Sequence, residues 1–297
     1  MQLKKQKMSE VNWQEFKVRC SAISKTMAES RSNPTITEKQ AARLSELESK
    51  PDLTDKMKLE MADLLVKKEN GKKIILSDGC IDYLMDVYAW KTQRMISVSK
   101  ESLDLMQMKK GKHNETDSIK LLSIVKGHVY NKNAEQVFNE YLTGEPDVFA
   151  GEEIMKSNIV EDTKTIWDYP GFLRCIKKQL EGGYRQQVQG YGDITGAKEL
   201  YVSKCLVSAS FDIIEEMKYR LLRKMNVVTE ESPEFVYEWE KWERSMVFDH
   251  IPMRQRVFSI PVEPFTLFEQ QKVYDRVKIC REWLWEFDEM YSTLNKI

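Results

Sequence analysis

Seven residues in the middle of the chain, Ile159-Val-Glu-Asp-Thr-Lys-Thr165, limit its fold more than any other feature. They are rich in β-branched side chains and follow the turn-forming pair Ser157-Asn158, so they read as a strand. Asp147-Val-Phe has similar composition, and Ala150-Gly151 supplies turn chemistry between the two. Leu200 to Val207 reads as a buried strand. Arg256 to Val262 reads as an edge strand, because Pro261 cannot donate to a ladder. Lys72 to Leu76 is one further short candidate. The remaining periodic segments are helical, which makes the fold class α/β (α+β), a mixed core inside a largely helical shell.

The helical segments carry their own start and stop signals. Thr37-Glu-Lys-Gln40 is a capping box that opens a charged helix ending before Pro51. Met57, Met61 and Leu64 share the face of a second helix, which stops at Asn70-Gly71. Ile81, Leu84 and Tyr88 do the same from about Asp78. Another helix is expected near Gly111, with Glu115, Ile119 and Leu122 on one face. A helix from Phe172 breaks at Gly182-Gly183, and a second runs from Tyr184 to Thr195, with Gly196 past its end. Helices follow at 211–225 and 233–246, the latter opened by Ser232 and Pro233. A second capping box, Thr266 to Glu269, starts the last helix, where Val273, Val277, Cys280, Leu284, Phe287, Tyr291 and Leu294 repeat four and three apart. That helix packs on the core, or meets another copy through Trp283 and Trp285. The expected organisation is one compact domain, with a helical region over 1–104 packed on a core over 105–297.

Charge and cysteine usage remove several function classes. Lys and Arg number 46 against 47 Asp and Glu, so the chain is no histone-like nucleic-acid binder, although a local basic groove remains compatible with that balance. No run of 18 apolar residues occurs, and the basic N-terminus lacks the apolar segment of a signal peptide. A soluble, cytoplasmic protein is expected, without a membrane partner. The five cysteines are scattered with no C-x-x-C pair, against a disulfide framework or zinc finger. Three separated histidines make no triad, and the signatures of serine hydrolases, P-loop NTPases and dinucleotide enzymes are missing.

The acidic residues carry the chemistry. Asp147 precedes Asp162 by 15 residues. In a strand, side chains alternate, so Asp162 and Lys164 point to one face while Glu161 and Thr163 point to the other. A tight hairpin from Asp147 brings a second carboxylate alongside. Two carboxylates with backbone carbonyls make a hard oxygen site suited to Mg²⁺, and Lys164 can hold a nucleophile and screen phosphorus. This chemistry fits phosphodiester hydrolysis. The acid-x-Lys spacing alone means little, because Glu15-x-Lys17, Glu48-x-Lys50 and Glu216-x-Lys218 share it in helical contexts.

Gly144-Glu-Pro-Asp147 followed by Asp162-Thr-Lys164 resembles the PD-(D/E)XK nuclease core. Gly111-Lys-His-Asn-Glu115 is similar to the G-x-x-x-E element of the lambda-exonuclease and YqaJ-type viral recombinase group. Gln187-Val-Gln-Gly-Tyr191 resembles the Q-x-x-x-Y motif of RecB-like nucleases, and Arg19-Cys-Ser21 the group's R-x-S segment. The resemblance implies a restriction-endonuclease-like core: a central mixed sheet flanked by helices, with helix-rich additions at both ends. It implies that Glu115, Asp147 and Asp162 bind Mg²⁺ (or Mn²⁺) with the Thr163 carbonyl, and that Lys164 is the catalytic lysine. Gln187 and Tyr191 would support the site or contact DNA, and Arg19 and Ser21 would touch phosphate. The implied activity is an exonuclease that resects duplex DNA from free ends, of the phage recombination type. Such an enzyme works in the host cytoplasm if phage-encoded, feeds a single-strand annealing protein, and is a homo-oligomer as a corollary. Asp at 162, where the family more often has Glu, shortens that ligand arm. Two alternatives stay open: an endonuclease of the same superfamily, and a non-catalytic DNA- or partner-binding protein. A basic groove from Lys109, Lys110, Lys112, Lys218, Arg220, Arg223 and Lys224 is a further expectation, with an ordinary solvated face as the competing one.

Overall fold

A computed structural model describes residues 11–28, 30, 36–70, 75–96, 106–178, 180 and 182–294. These fall into two compact units. One takes its residues from 1–14, 25–95 and 275–297, the other from 15–24 and 96–274. After the short α1 (Ile23–Met27) come α2 (Glu38–Ser49), α3 (Asp55–Asn70) and α4 (Asp78–Gln93), all near their expected bounds. The Thr37 hydroxyl accepts from the Gln40 N–H, and the Gln40 side chain accepts from the Thr37 N–H, as the capping box requires. Leu44, Leu47 and Leu64 are buried between α2 and α3, with Met57 and Met61 against them. Most of the strand expected at 72–76 lies outside the described residues.

The first unit also holds residues 275–294 of the last helix. That unit's aromatic core stacks Trp13 on Tyr88, with Phe287 and Tyr291 edge-on to Tyr88. Asp288 accepts from the Tyr88 hydroxyl at 2.7 Å and the Trp13 indole at 3.1 Å.

The second unit is built on a five-stranded mixed sheet. In chain order its strands are β2 (Tyr130–Lys132), β5 (Val148–Ala150), β6 (Ile159–Thr165), β7 (Glu199–Cys205) and β8 (Val257–Val262), and this is also their order in space. A smaller sheet sets β1 (Val18–Arg19) parallel to β4 (Leu142–Gly144), with β3 (Val137–Phe138) on the other side of β4. Within the five-stranded sheet β6 and β7 run parallel over their full length, while its other pairs are antiparallel. A parallel pair needs a long crossover, and α7 (Tyr169–Lys178) and α8 (Gly182–Thr195) provide it. α7 starts ahead of Phe172 because the Asp168 carboxylate accepts from the Gly171 N–H. Pro261 lies on edge strand β8, as its missing N–H demands.

Two helices cover opposite faces of this sheet. α6 (Glu115–Lys126) sets Ile119 and Leu122 against Val148 and Cys205. α8 packs on the other face, where a Cβ on Gly192 would lie 2.6 Å from the Leu200 side chain. The expected helix near Gly111 is in fact two, α5 (Met106–His113) and α6. The buried Asn114 separates them: its amide donates to the Ser208 carbonyl and its oxygen accepts from the Ser210 N–H. α9 (Phe211–Met225), α10 (Pro233–Arg244) and α11 (Leu267–Leu294) complete the chain. In α11 Val273 is buried in the second unit and Val277, Cys280 and Leu284 in the first, while Trp285, Tyr291 and Leu294 are exposed. No described helix is long and apolar enough to cross a membrane.

Candidate active site

Strand register brings the two carboxylates together. Val148 opposes Glu161 across the antiparallel β5–β6 pair, so Asp147, just ahead of β5, reaches the level of Asp162. The Thr163 N–H donates to Asp147 Oδ2 at 2.9 Å. A residue in a strand points its N–H and C=O to the same edge, which places the Thr163 carbonyl on that side too. Pro146 has no N–H to offer it. Lys164 Nζ lies 2.8 Å from Asp162 and 3.5 Å from Asp147 Oδ2. Alternation along β6 therefore works as expected: Asp162 and Lys164 share one face.

α8 closes this face. Gln187 Nε2 donates to Asp162 Oδ1 at 3.1 Å and reaches the Tyr191 hydroxyl at 2.7 Å. The Tyr191 ring in turn needs Gly144, since a Cβ there would lie 2.6 Å from Cε1 of the ring. The glycine that opens the Gly-Glu-Pro-Asp segment is thus a packing requirement of the tyrosine four residues after Gln187.

Asp162 is fully buried. Burial pushes its pKa up to about 6, the adjacent Lys164 pulls it down, and the Asp147 charge adds to the rise. Burial alone would lower Lys164, but the two carboxylates outweigh it and raise it. Asp162 Oδ2 lies 2.8 Å from the Lys164 ammonium but takes no well-directed hydrogen bond. A buried carboxylate oxygen that lacks a well-directed donor is under-satisfied. Together with Asp147 and the Thr163 carbonyl it forms a hard oxygen donor set that fits a divalent cation.

The opposite face of β6 is occupied differently. Glu161, also fully buried, accepts from Lys126 at 2.6 Å, from Ser203 at 2.5 Å and from the Tyr130 hydroxyl. Ser203 pairs onward with Ser259 at 2.7 Å.

Asp147, Asp162, Thr163, Lys164, Gln187 and Tyr191 thus come together. Glu115 stands apart from the carboxylate pair. It is the first residue of α6, on the other side of the sheet, and accepts from Lys132 at 2.7 Å. Lys132 is the cross-strand partner of Val148, next to Asp147. Among the described residues no three His, Cys, Asp or Glu side chains cluster closely enough to hold a metal. Arg19 and Ser21 are exposed, and Arg19 pairs with Thr143 beside Gly144. Between them Cys20 packs so closely that a Cβ on Gly190 of α8 would lie 2.9 Å from its sulfur.

Two residues at the site escaped the sequence reading. Lys204 is the register partner of Lys164 across β6–β7, and Tyr184 lies one turn before Gln187 on α8. A lysine inside the buried run Leu200 to Val207 was the signal, since buried lysines need a reason. Lys110 drops out of the expected basic groove: it is buried and donates to the carbonyls of Ile166 and Trp167, and burial draws its pKa down to about 8. Lys218 pairs with Glu230, and Arg220 and Lys109 both pair with Glu216. Neighbouring acids thus absorb much of the charge that a groove would need.

The same fold occurs in a phage-related exonuclease from Haemophilus somnus 129PT, at 18% identity and TM-score 0.56, covering 94% of this chain and 97% of that one. It also occurs in an alkaline exonuclease from Laribacter hongkongensis, at 9% identity and TM-score 0.54, covering 96% and 97%. No family model and no curated protein matches the sequence. At these identities the likeness establishes the fold, an α/β core of the PD-(D/E)XK type.

Proposed function

We propose that this chain, which has the fold of those exonucleases, is itself a metal-dependent DNA exonuclease acting on linear duplex DNA. The observation that carries the reading is the cluster of Asp147, Asp162 and Lys164 under Gln187 and Tyr191. Asp147, Asp162 and the Thr163 carbonyl would hold Mg²⁺, or Mn²⁺ in its place. Glu115, paired with Lys132 on the other side of the sheet, is left outside this donor set. The bound cation supplies Lewis acidity and neutralises phosphate charge.

The protein's own groups do the rest. Lys164, held charged by two carboxylates, is an ammonium at neutral pH. It orients the attacking water and screens the phosphate as negative charge grows. Gln187 fixes one oxygen of Asp162, and the other would help to hold the cation. Tyr191 fixes Gln187. Arg19 and Ser21, both exposed beside Gly144, would take phosphates of the DNA end. A phage recombination setting in the host cytoplasm, a single-strand annealing partner and a homo-oligomer belong to the same reading.

The test incubates the protein with linear and covalently closed circular duplex DNA, in Mg²⁺ or EDTA, beside Lys164→Ala. Loss of the linear DNA alone, dependent on metal and on Lys164, is the expected result. Nicked circles would make the enzyme an endonuclease. No cleavage of either substrate in Mg²⁺ would leave DNA or partner binding as the function.

A further inference from the structure

Lys204 and Tyr184 stand beside the reacting groups, and the mechanism above leaves them unused. Lys204 lies directly across the parallel ladder from Lys164, so both side chains leave the sheet on one face. The Tyr184 ring lies against both ammoniums, with its centroid 5.5 Å from Lys164 Nζ and 4.4 Å from Lys204 Nζ. Lys204 is 8% exposed, and its charge acts on the Asp162 carboxylate. An apolar side chain of similar volume would stabilise such a strand better than a charged one. Lys164 lies between Asp147 and Asp162, and Lys204 adds a second ammonium on the same face.

The charges of the reaction supply a use for that ammonium. Two carboxylates and two ammoniums cancel, so one divalent cation leaves the site with two positive charges. A phosphodiester carries one negative charge and gains a second when hydroxide adds to phosphorus. The oxygen of water forms the new bond to phosphorus and the bond to the departing sugar oxygen breaks. Of the two protons of water, one passes to solvent as hydroxide forms and the other ends on the departing oxygen, which leaves a phosphate monoester dianion and a sugar hydroxyl. Without Lys204 the loaded site would fall one charge short of the dianion that it must stabilise.

We propose that Lys204 is a second phosphate-binding lysine, whose ammonium donates to a non-bridging oxygen of the phosphodiester under attack while Tyr184 sets its spacing from Lys164. The proposal rests on the nuclease reading. Its test compares wild type, Lys204→Met and Lys204→Arg in two assays. One is single-turnover cleavage in Mg²⁺. The other is binding of a duplex oligonucleotide, with Ca²⁺ in place of Mg²⁺, across a salt series. Lys204→Met is expected to cut about 100-fold more slowly. The slope of log affinity against log salt should fall by about 0.9, the share of one phosphate contact. Lys204→Arg should recover most of both.

If Lys204→Met melts early, Lys204→Gln carries the same two measurements. Wild-type cleavage by the variant overturns the proposal. So does an unchanged salt slope accompanied by tighter cation binding, which would make Lys204 a mere counter-charge to the carboxylates. A wild type that neither binds nor cuts DNA refutes the nuclease reading itself, and this inference with it.

Discussion

Glu161 and Asp162 are neighbours on one strand with opposite duties, and truncating each to alanine should separate stability from activity. Glu161→Ala would leave the Lys126 ammonium, the Tyr130 hydroxyl and the Ser203 hydroxyl without their common acceptor. Glu161 is fully buried and the Lys126 side chain is 17% exposed, so water can replace little of what is lost. Removing one partner of a buried pair costs about 3–5 kcal/mol. At roughly 2–4 °C per kcal/mol for a unit of this size, the melting temperature should drop by about 6–20 °C. Glu161→Gln keeps the shape and can still accept from both hydroxyls, so it should fall between wild type and alanine. Because this network lies on the face away from Lys164, folded Glu161→Gln should cleave at a near wild-type rate. Thermal melts beside cleavage at a permissive temperature decide the matter. A Glu161→Ala protein that melts with the wild type would refute the claim that this face of β6 is structural.

Asp162→Ala should abolish cleavage while moving the melting temperature by only a few degrees, because it removes a carboxylate whose burial is itself costly and leaves Lys164 beside Asp147; a large drop would mark a structural hairpin instead. Lys164→Ala should also abolish cleavage but melt lower, since it strands the buried Asp162 carboxylate. Gly144→Ala forces a Cβ to within 2.6 Å of Tyr191 and 3.0 Å of the Cys20 sulfur, which should cost about 1–3 kcal/mol in urea melts and slow cleavage through a displaced Gln187. Asp162 is raised from 3.8 to about 6 on folding, so the folded protein binds more protons in that interval. Metal-free stability from this group should therefore be present below pH 4 and be lost as pH rises to about 6. Urea melts in EDTA at the two ends of the window should show that loss in wild type, and Asp162→Asn should flatten it. At neutral pH, Mg²⁺ should raise the melting temperature of wild type but not of Asp162→Ala, and equal shifts in both would place the cation elsewhere.

The long elements were legible because each carried a local signal: the capping boxes at Thr37 and Thr266, Pro233 at a first helical position, Gly196 beyond a last one. The β-branched run 159–165 likewise announced both its strand and the face of Asp162. β1 to β4 were not legible, because two or three residues show no period, and their pairing depends on what packs above them. The break at Asn114 was hidden for a related reason, since its partners at Ser208 and Ser210 are nearly a hundred residues away. At the site, Asp147, Asp162, Lys164, Gln187 and Tyr191 could be found from spacing and resemblance. Lys204 could not be tied to them without the β6–β7 register. Placing Glu115 on the far face of the sheet likewise required knowing which helix covers which side.

The division of α11 has a consequence for how the protein comes into being. Its opening residues belong to one unit, while the residues from Asp275 onward complete the other, where Asp288 joins Tyr88 and Trp13. The partners of Asp288 leave the ribosome 200 and 275 residues before it. At roughly 5–20 residues per second, Tyr88 waits about 10–40 s for it. Until then Tyr88 of α4 has Trp13 to stack on but lacks Phe287, Tyr291 and Asp288, a task for chaperones in the meantime. A nascent chain stalled before this helix would leave its first unit unfinished, so translation itself sets the moment at which that unit can close.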